Sequence, residues 1–211
     1  MGTEGDVQFF VFPQGEGRLR LYLSTATEQK SRLAGADAPQ RFLEAFRLTT
    51  VPGIAAIAGA RAAGPCNAFP NNDTWTDRPC VEGAVLIGDA AGHNDPITGQ
   101  GLSITMRDVR VVSDILRGTE PSSWGDAALF DEYASERAER MRRLRFSATL
   151  NSIQHAEFGE RARRRRAAVR ERRMTDGRWP MASGATMFGP EVIPAEAFDQ
   201  AVMDELRAMG E

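Results

Sequence analysis

Long apolar runs are missing from this 211-residue chain. No stretch approaches the roughly 20 apolar residues needed to cross a bilayer, so no membrane span is expected. The first residues, Met1-Gly2-Thr3-Glu4-Gly5-Asp6, are acidic and lack the apolar core of a secretory leader. A cytoplasmic location is the expectation. Cysteine is scarce: Cys66 and Cys80 stand alone, and without a leader they are expected as two free thiols. Histidine is equally scarce, with only two in the chain, and no metal site is expected. The net charge of −3 offers no general field for nucleic acid. A Gly-x-Gly-x-x-Gly run between strand and helix is absent; Gly15-Glu16-Gly17 links two strand-like segments and opens no helix. What remains is an ordinary globular composition, 42% hydrophobic and 26% charged, enough for one large domain or two small ones.

The most informative stretch runs from Gly83 to Gly118. It opens on Ala84-Val85-Leu86-Ile87, a short apolar run that predicts a strand buried on both faces of a parallel sheet. Gly88-Asp89 ends the run and puts a carboxylate at the strand terminus. A loop of small residues follows, and Gly99-Gln100-Gly101 opens a helix whose apolar positions are Leu102, Met106, Val109, Val112 and Leu116. Gly118 closes it.

Strand, acidic end, glycine loop and helix N-terminus together suit an electron-rich ligand. In open α/β sheets ligands lie beyond the carboxyl ends of the strands. A carboxylate there accepts hydrogen bonds from ribose or ribityl hydroxyls. Glycines at 99 and 101 let backbone approach a flat ring, and the helix they open presents unpaired N–H groups and a positive dipole end. The same pattern also describes a plain βα unit with no ligand, and the glycine loop alone does not decide between them.

The run Gly88-Asp89-Ala90-Ala91, Pro96, Gly99-Gln100-Gly101 and Asp108 resembles the second flavin motif of FAD-dependent monooxygenases of the para-hydroxybenzoate hydroxylase-like superfamily. The resemblance covers about thirty residues at the right spacing. It implies FAD as cofactor, with Gly88, Asp89 and Ala90 at the ribityl and pyrophosphate region. Pro96, Thr98, Gly99, Gln100, Gly101 and Leu102 would wrap the isoalloxazine ring. Two positions depart from the family pattern: Gly92 replaces a histidine, which comes one place later at His93, and Ser103 replaces an asparagine. The implied reaction is hydroxylation of a small organic substrate with dioxygen, the reductant being NADH or NADPH. No catalytic acid or base is identified. His93 is the candidate nearest the loop and is read as structural, and His155 lies in a charged helix.

The rest of the chain frames that stretch. Val7–Phe12 is rich in β-branched and aromatic residues, Arg18–Leu23 alternates with period two, and the glycine-rich turn between them predicts an antiparallel hairpin, similar to the family's substrate-domain sheet. Pro39 is expected to open a helix capped by Asp37, with Phe42, Leu43 and Phe46 inward. Residues 49–64 receive no assignment. Residues 64–82 are irregular, and Trp75 within them is expected to pack on the core. Beyond 123, an interrupted stripe of Leu129, Tyr133, Met141, Leu144 and Leu150 predicts long helix, and Tyr133 with Arg137 fits a Tyr-x-x-x-Arg element common in the family. The arginines between 161 and 173 invite a nucleic-acid reading. The absence of interleaved aromatics and the flanking Glu157, Glu160 and Glu171 favour a helix face paired with acidic neighbours. A last helix, from Pro194, carries Phe198, Val202, Leu206 and Met209.

The expected fold is α/β (α+β overall): residues 1–64 end a substrate-domain sheet, 65–123 carry the flavin motif of a partial Rossmann-like domain, and 124–211 are helical. Because the dinucleotide motif is absent, the expectation is the carboxyl-terminal half of a longer enzyme, with an N-terminal half as partner and little activity alone. Two other readings stay open. One is another flavin enzyme of the superfamily, a halogenase or an isoprenoid reductase. The other is a non-catalytic helical module that binds acidic partners.

Overall fold

The computed structural model describes residues 1–211, apart from the side chains of Ala55 and Ala58. Its regular elements run β1 (Gly2–Glu4), β2 (Val7–Gly15), β3 (Arg18–Thr25), α1 (Ala38–Glu44), α2 (Ile54–Ala58), β4 (Cys80–Val81), β5 (Ala84–Val85), α3 (Gly101–Arg117), α4 (Asp131–His155), α5 (Glu160–Thr175), α6 (Ala185–Phe188) and α7 (Gln200–Ala208). Two compact units form: residues 1–70 with 152–170 and 208–211, and residues 71–151 with 171–207. Small antiparallel sheets beside a helical majority make the fold α+β. No described helix is long and apolar enough to cross a membrane.

In the first unit the period-two alternation becomes a three-stranded antiparallel sheet ordered β1-β2-β3. Phe9 pairs Leu23 and Val7 pairs Thr25, so Val7, Phe9, Val11, Leu21 and Leu23 share one face. That face buries against Phe46, Leu48, Ile57 and Phe42. A register shift at Pro13/Gly15 and positive φ at Gly15, Glu16 and Gly17 turn the chain. Helix α1 begins at Ala38 with Asp37 before it, but the Asp37 side chain makes no capping bond; it lies 3.9 Å from Arg41 instead. The apolar-poor α5 is held by pairing. Arg163 bonds Glu160 at 2.7 Å, Arg164 reaches the Gly210 carbonyl at 3.1 Å, and buried Arg165 pairs with Glu157 and the Met209 carbonyl.

In the second unit α4 supplies the spine. Tyr133, Met141, Leu144 and Leu150 are buried as the stripe predicts, and the position that interrupts the stripe, Arg137, is buried too. Ile104 with Met141 and Leu144 forms one cluster, with Trp75 packed against it; Val112 with Phe130 and Tyr133 forms another. Near the C-terminal end, Phe198 packs edge-on to Phe146, while Met203 and Leu206 are the buried faces of α7. Met203, not Val202, takes the inner position in α7, which starts at Gln200 after a separate 3-10 turn at Ala195–Phe198.

Two expectations are corrected here. The run 84–87 is not a strand buried on both faces. Only Ala84–Val85 are paired as a strand, and Gly83, at φ 73°, folds them back onto Cys80–Val81 as an antiparallel pair. Leu86 is 39% exposed. Four apolar residues carry no strand neighbours of their own, and the described residues offer no parallel partner. In α3 the inward line is Ile104, Asp108 and Val112; Leu102 (72% exposed) and Met106 (63%) point away from the unit's core.

Candidate functional site

The turn after β5 is built from backbone that only glycine fits. Gly88 has φ 53°, and a Cβ there would stand 2.6 Å from Thr105 Oγ1. Gly92 has φ 116°, and its Cβ would meet the Thr74 carbonyl oxygen at 2.6 Å and Trp75 Cα at 3.0 Å. The segment at 74–75 therefore lies directly on the turn, and Gly92 stands where it must for that approach. Between these glycines, Gly88–Ala91 form a 3-10 turn that leaves Asp89 and Ala90 exposed.

A second turn leads into the helix. Asp95 Oδ1 accepts the Ile97 N–H at 2.9 Å and starts a 3-10 turn at Pro96–Thr98. Thr98 is buried; its hydroxyl donates to the Asp95 carbonyl at 3.1 Å and accepts the Gln100 N–H at 3.3 Å. Gly99 adopts the left-handed conformation at φ 64°, and added Cβ atoms at Gly99 and Gly101 would meet open space. Gln100 caps α3 by position only, since its carboxamide nitrogen donates to the Thr186 carbonyl at 2.5 Å and no side chain caps the helix. The first N–H groups of α3 are left for another acceptor, at the positive end of a 17-residue helix.

These features can bind a hydroxylated, anionic or carbonyl-rich molecule. An exposed carboxylate stands on one turn, and an uncapped helix N-terminus with bare glycine backbone stands on the next. In the loop between them the Asn94 carboxamide is buried, with neither its oxygen nor its nitrogen paired among the described residues. A buried amide without partners is costly, so Asn94 is an unspent hydrogen-bonding group in that loop.

The structure brings the residues singled out from sequence into consecutive turns of one unit: Gly88, Asp89 and Ala90 on the first, Pro96 and Thr98 on the second, and Gly99, Gln100, Gly101 and Leu102 at the helix start. His93 is turned aside, its Nδ1 2.8 Å from Thr74 Oγ1. Trp75 lies between two guanidinium groups, Arg137 and Arg145, 5.4 and 5.2 Å from its ring centre. Asp73 holds Arg145 at 2.6 Å. Sequence reasoning named Asp108 and Arg137 only as parts of family patterns and gave neither a role beneath the turn. The signal was present as a charged residue interrupting the apolar stripe of α4.

A family model described as an FAD binding domain matches residues 28–148. Among individual proteins, the chain is 25% identical over 154 residues to digeranylgeranylglycerophospholipid reductase 2 of Methanothermobacter thermautotrophicus, covering 71% of this chain and 37% of that protein. It is 30% identical over 105 residues to squalene epoxidase 2, mitochondrial, of Arabidopsis thaliana, covering 50% of this chain and 15% of that protein. A squalene epoxidase of Gibberella zeae is 29% identical over 68 residues, which are 32% of this chain and 14% of that protein. The chain thus spans well under half the length of these relatives. No solved structure matches it.

Proposed function

The chain belongs to the FAD-binding domain family, and on that premise we propose that it supplies the ring and ribityl side of the flavin site of a monooxygenase. The observation that carries the reading is the exposed Asp89 turn beside the uncapped N-terminus of α3, held in one unit within the matched region. The residues present fit FAD. Asp89 would accept hydrogen bonds from ribityl hydroxyls, with Gly88 and Ala90 keeping the approach low. The glycine backbone at 99 and 101 would leave room for a flat ring, and the first N–H groups of α3 would be available to its carbonyl oxygens. Pro96 and Thr98 hold the loop in shape, and Leu102 offers an apolar side.

When bound, the flavin supplies two-electron chemistry with a nicotinamide reductant and with dioxygen. The chain's own part is to bind, orient and shield it. The pyrophosphate and adenosine end falls, in this reading, to a separate segment with the Gly-x-Gly-x-x-Gly motif that these residues lack. That segment is the partner proposed here, and it would also cover the exposed Leu102 and Met106 of α3. The substrate is a small organic molecule.

A second reading, reduction of an isoprenoid chain, is favoured by one observation. The similarity to the archaeal reductase covers more of this chain than the similarity to either epoxidase.

Titrating the purified chain with FAD and, separately, with riboflavin tests the site. The expected result is saturable quenching of flavin fluorescence by both at similar affinity, because the adenosine half finds no partner here. Asp89→Ala should weaken both about tenfold, the loss of one charge-assisted hydrogen bond. Binding indifferent to Asp89, or no binding of either flavin, overturns the assignment.

A further inference from the structure

Between α3 and α4 lies a buried ion pair to which the flavin reading assigns no role. Asp108 is 4% exposed and Arg137 is 2% exposed. Arg137 Nε donates to Asp108 Oδ2 at 2.9 Å, and the same oxygen accepts the Gly88 N–H at 2.8 Å. The two terminal nitrogens of Arg137 donate to the Gly88 carbonyl at 3.1 Å and the Ala91 carbonyl at 3.3 Å. One turn earlier on α4, the Tyr133 hydroxyl donates to the Leu86 carbonyl at 2.9 Å. Burial, and then the Asp108 carboxylate beside it, push the Tyr133 phenol far above its usual range, so it stays a donor.

The backbone groups that this pair binds, the Gly88 N–H and the Gly88 and Ala91 carbonyls, all belong to a single turn. In a parallel sheet, neighbouring strands would hold a strand-end turn, but β5 is two residues long and its one partner is β4. Side chains from α3 and α4 do the holding instead. The apolar stripes of α3 and α4 alone do not call for a pair here. Asp108 sits in line with Ile104 and Val112, and Arg137 in line with Tyr133 and Met141. Apolar residues would continue both stripes, and buried ion pairs replaced by apolar residues of similar volume are often neutral or stabilising.

We propose that Arg137 and Asp108 are positioning residues for cofactor binding: together they fix the Gly88–Ala91 backbone and so the direction in which Asp89 presents its carboxylate. The proposal rests on the flavin reading for its purpose, and on the hydrogen bonds above for its mechanism. Arg137 also lies against Trp75, so the same guanidinium ties the turn to the 73–75 segment that packs on Gly92.

The test compares the wild-type chain, Arg137→Lys and the double variant Asp108→Leu with Arg137→Met, using amide hydrogen exchange and flavin titration. The reporter amides are Gly88, bonded to Asp108, and Ala90 and Gly92, bonded within the turn to Ile87 and Asp89. The expected result is a folded double variant with residues 141–150 as protected as in the wild type. Its turn amides exchange at least about tenfold faster, and flavin affinity falls by a similar factor, the loss of a charge-assisted bond. Arg137→Lys, which keeps the charge and loses the planar fork, should show the same pattern to a smaller degree. Turn amides unchanged in a folded double variant overturn the proposal. So does loosened exchange with undiminished flavin affinity. If the double variant unfolds, Arg137→Lys decides: wild-type turn exchange in it overturns the proposal. Failure of the wild-type chain to take up any flavin overturns the flavin reading separately, and turn exchange still decides whether the clamp exists.

Discussion

The β2–β3 hairpin and the Ala84–Gly92 turn are both short extended segments punctuated by glycine, yet they are held by different means. The hairpin is a ladder of backbone bonds between residues at most 18 apart, with Val7 against Thr25 as its widest pair. The turn has a two-residue ladder and depends on Asp108, Tyr133 and Arg137, up to 49 residues away. The hairpin is specified by its own sequence. The turn is specified by two helices that come later in the chain, so its shape follows from packing and fails with packing.

The largest expected effect follows from the glycines. Gly17 in the hairpin turn has φ 70° with open space where a Cβ would stand, whereas at Gly92 the Cβ would strike the Thr74 carbonyl and Trp75. Gly92→Ala should cost about 3 kcal/mol or more, combining backbone strain with a backbone clash. Gly17→Ala should cost about 1 kcal/mol, the strain alone. Urea unfolding of both variants checks this. Equal losses would mean that the 74–75 segment yields to the turn and that the contrast is overdrawn.

The same contrast explains what was legible from sequence. The hairpin was legible because its signals are local: the β-branched and aromatic run at 7–12, the alternation at 18–23 and the turn residues between them. The helices α3 and α4 were legible from spacing, and so was the Gly99-Gln100-Gly101 start. The strand at 84–87 was misread because an apolar run says how a segment would pack, not whether neighbours exist for it. The buried faces of α3 were misplaced because Leu102 and Met106 are more apolar than Asp108, and hydrophobicity alone puts Asp108 outside. An aspartate goes inside only when an arginine and a backbone N–H meet it, and both lie far away in sequence. Gly92, a departure from the family's histidine, is explained by the close approach of residue 74, a non-local contact again.

Next in size is a change that should separate binding from stability. Asp89 is exposed and is not among the groups that hold the turn, so Asp89→Asn should leave the unfolding midpoint unchanged while weakening flavin binding by about tenfold, near 1.4 kcal/mol. Paired calorimetric and fluorescence measurements check it. A fall in stability as large as the fall in affinity would place Asp89 among the turn's supports and blur the division.

Tyr133→Phe removes one neutral hydrogen bond to the Leu86 carbonyl and leaves Asp108 and Arg137 in place. A loss of about 1 kcal/mol is expected, with the remaining carbonyl oxygen partly compensated by water at half-exposed Leu86. Faster exchange confined to residues 85–88 would show the turn yielding at its strand end. Loosening along all of α4 would show the hydroxyl serving the helix and not the turn.

The smallest effect belongs to the hairpin side and depends on pH. Glu4, in β1, accepts the Thr49 N–H at 2.7 Å and the Thr50 N–H at 3.0 Å, and both threonine hydroxyls as well. The Thr49 backbone bond first, and the Thr50 hydroxyl next, lower its carboxyl from 4.5 to about 2. A carboxylate whose folded value is depressed stabilises the folded state fully above its unfolded value, and that contribution is lost as the pH falls through the folded value. The contribution of Glu4 is therefore present above pH 4.5 and fades between pH 4.5 and about 2. Because the pair is solvent-exposed, the loss should stay below about 1 kcal/mol. Acidification through that window should release the Thr49 and Thr50 amides while Phe9 and Leu23 of the ladder keep their protection, and Glu4→Gln should flatten the response. If the whole sheet loosened together, the hairpin would be as dependent on remote side chains as the turn, and the distinction between the two regions would fall.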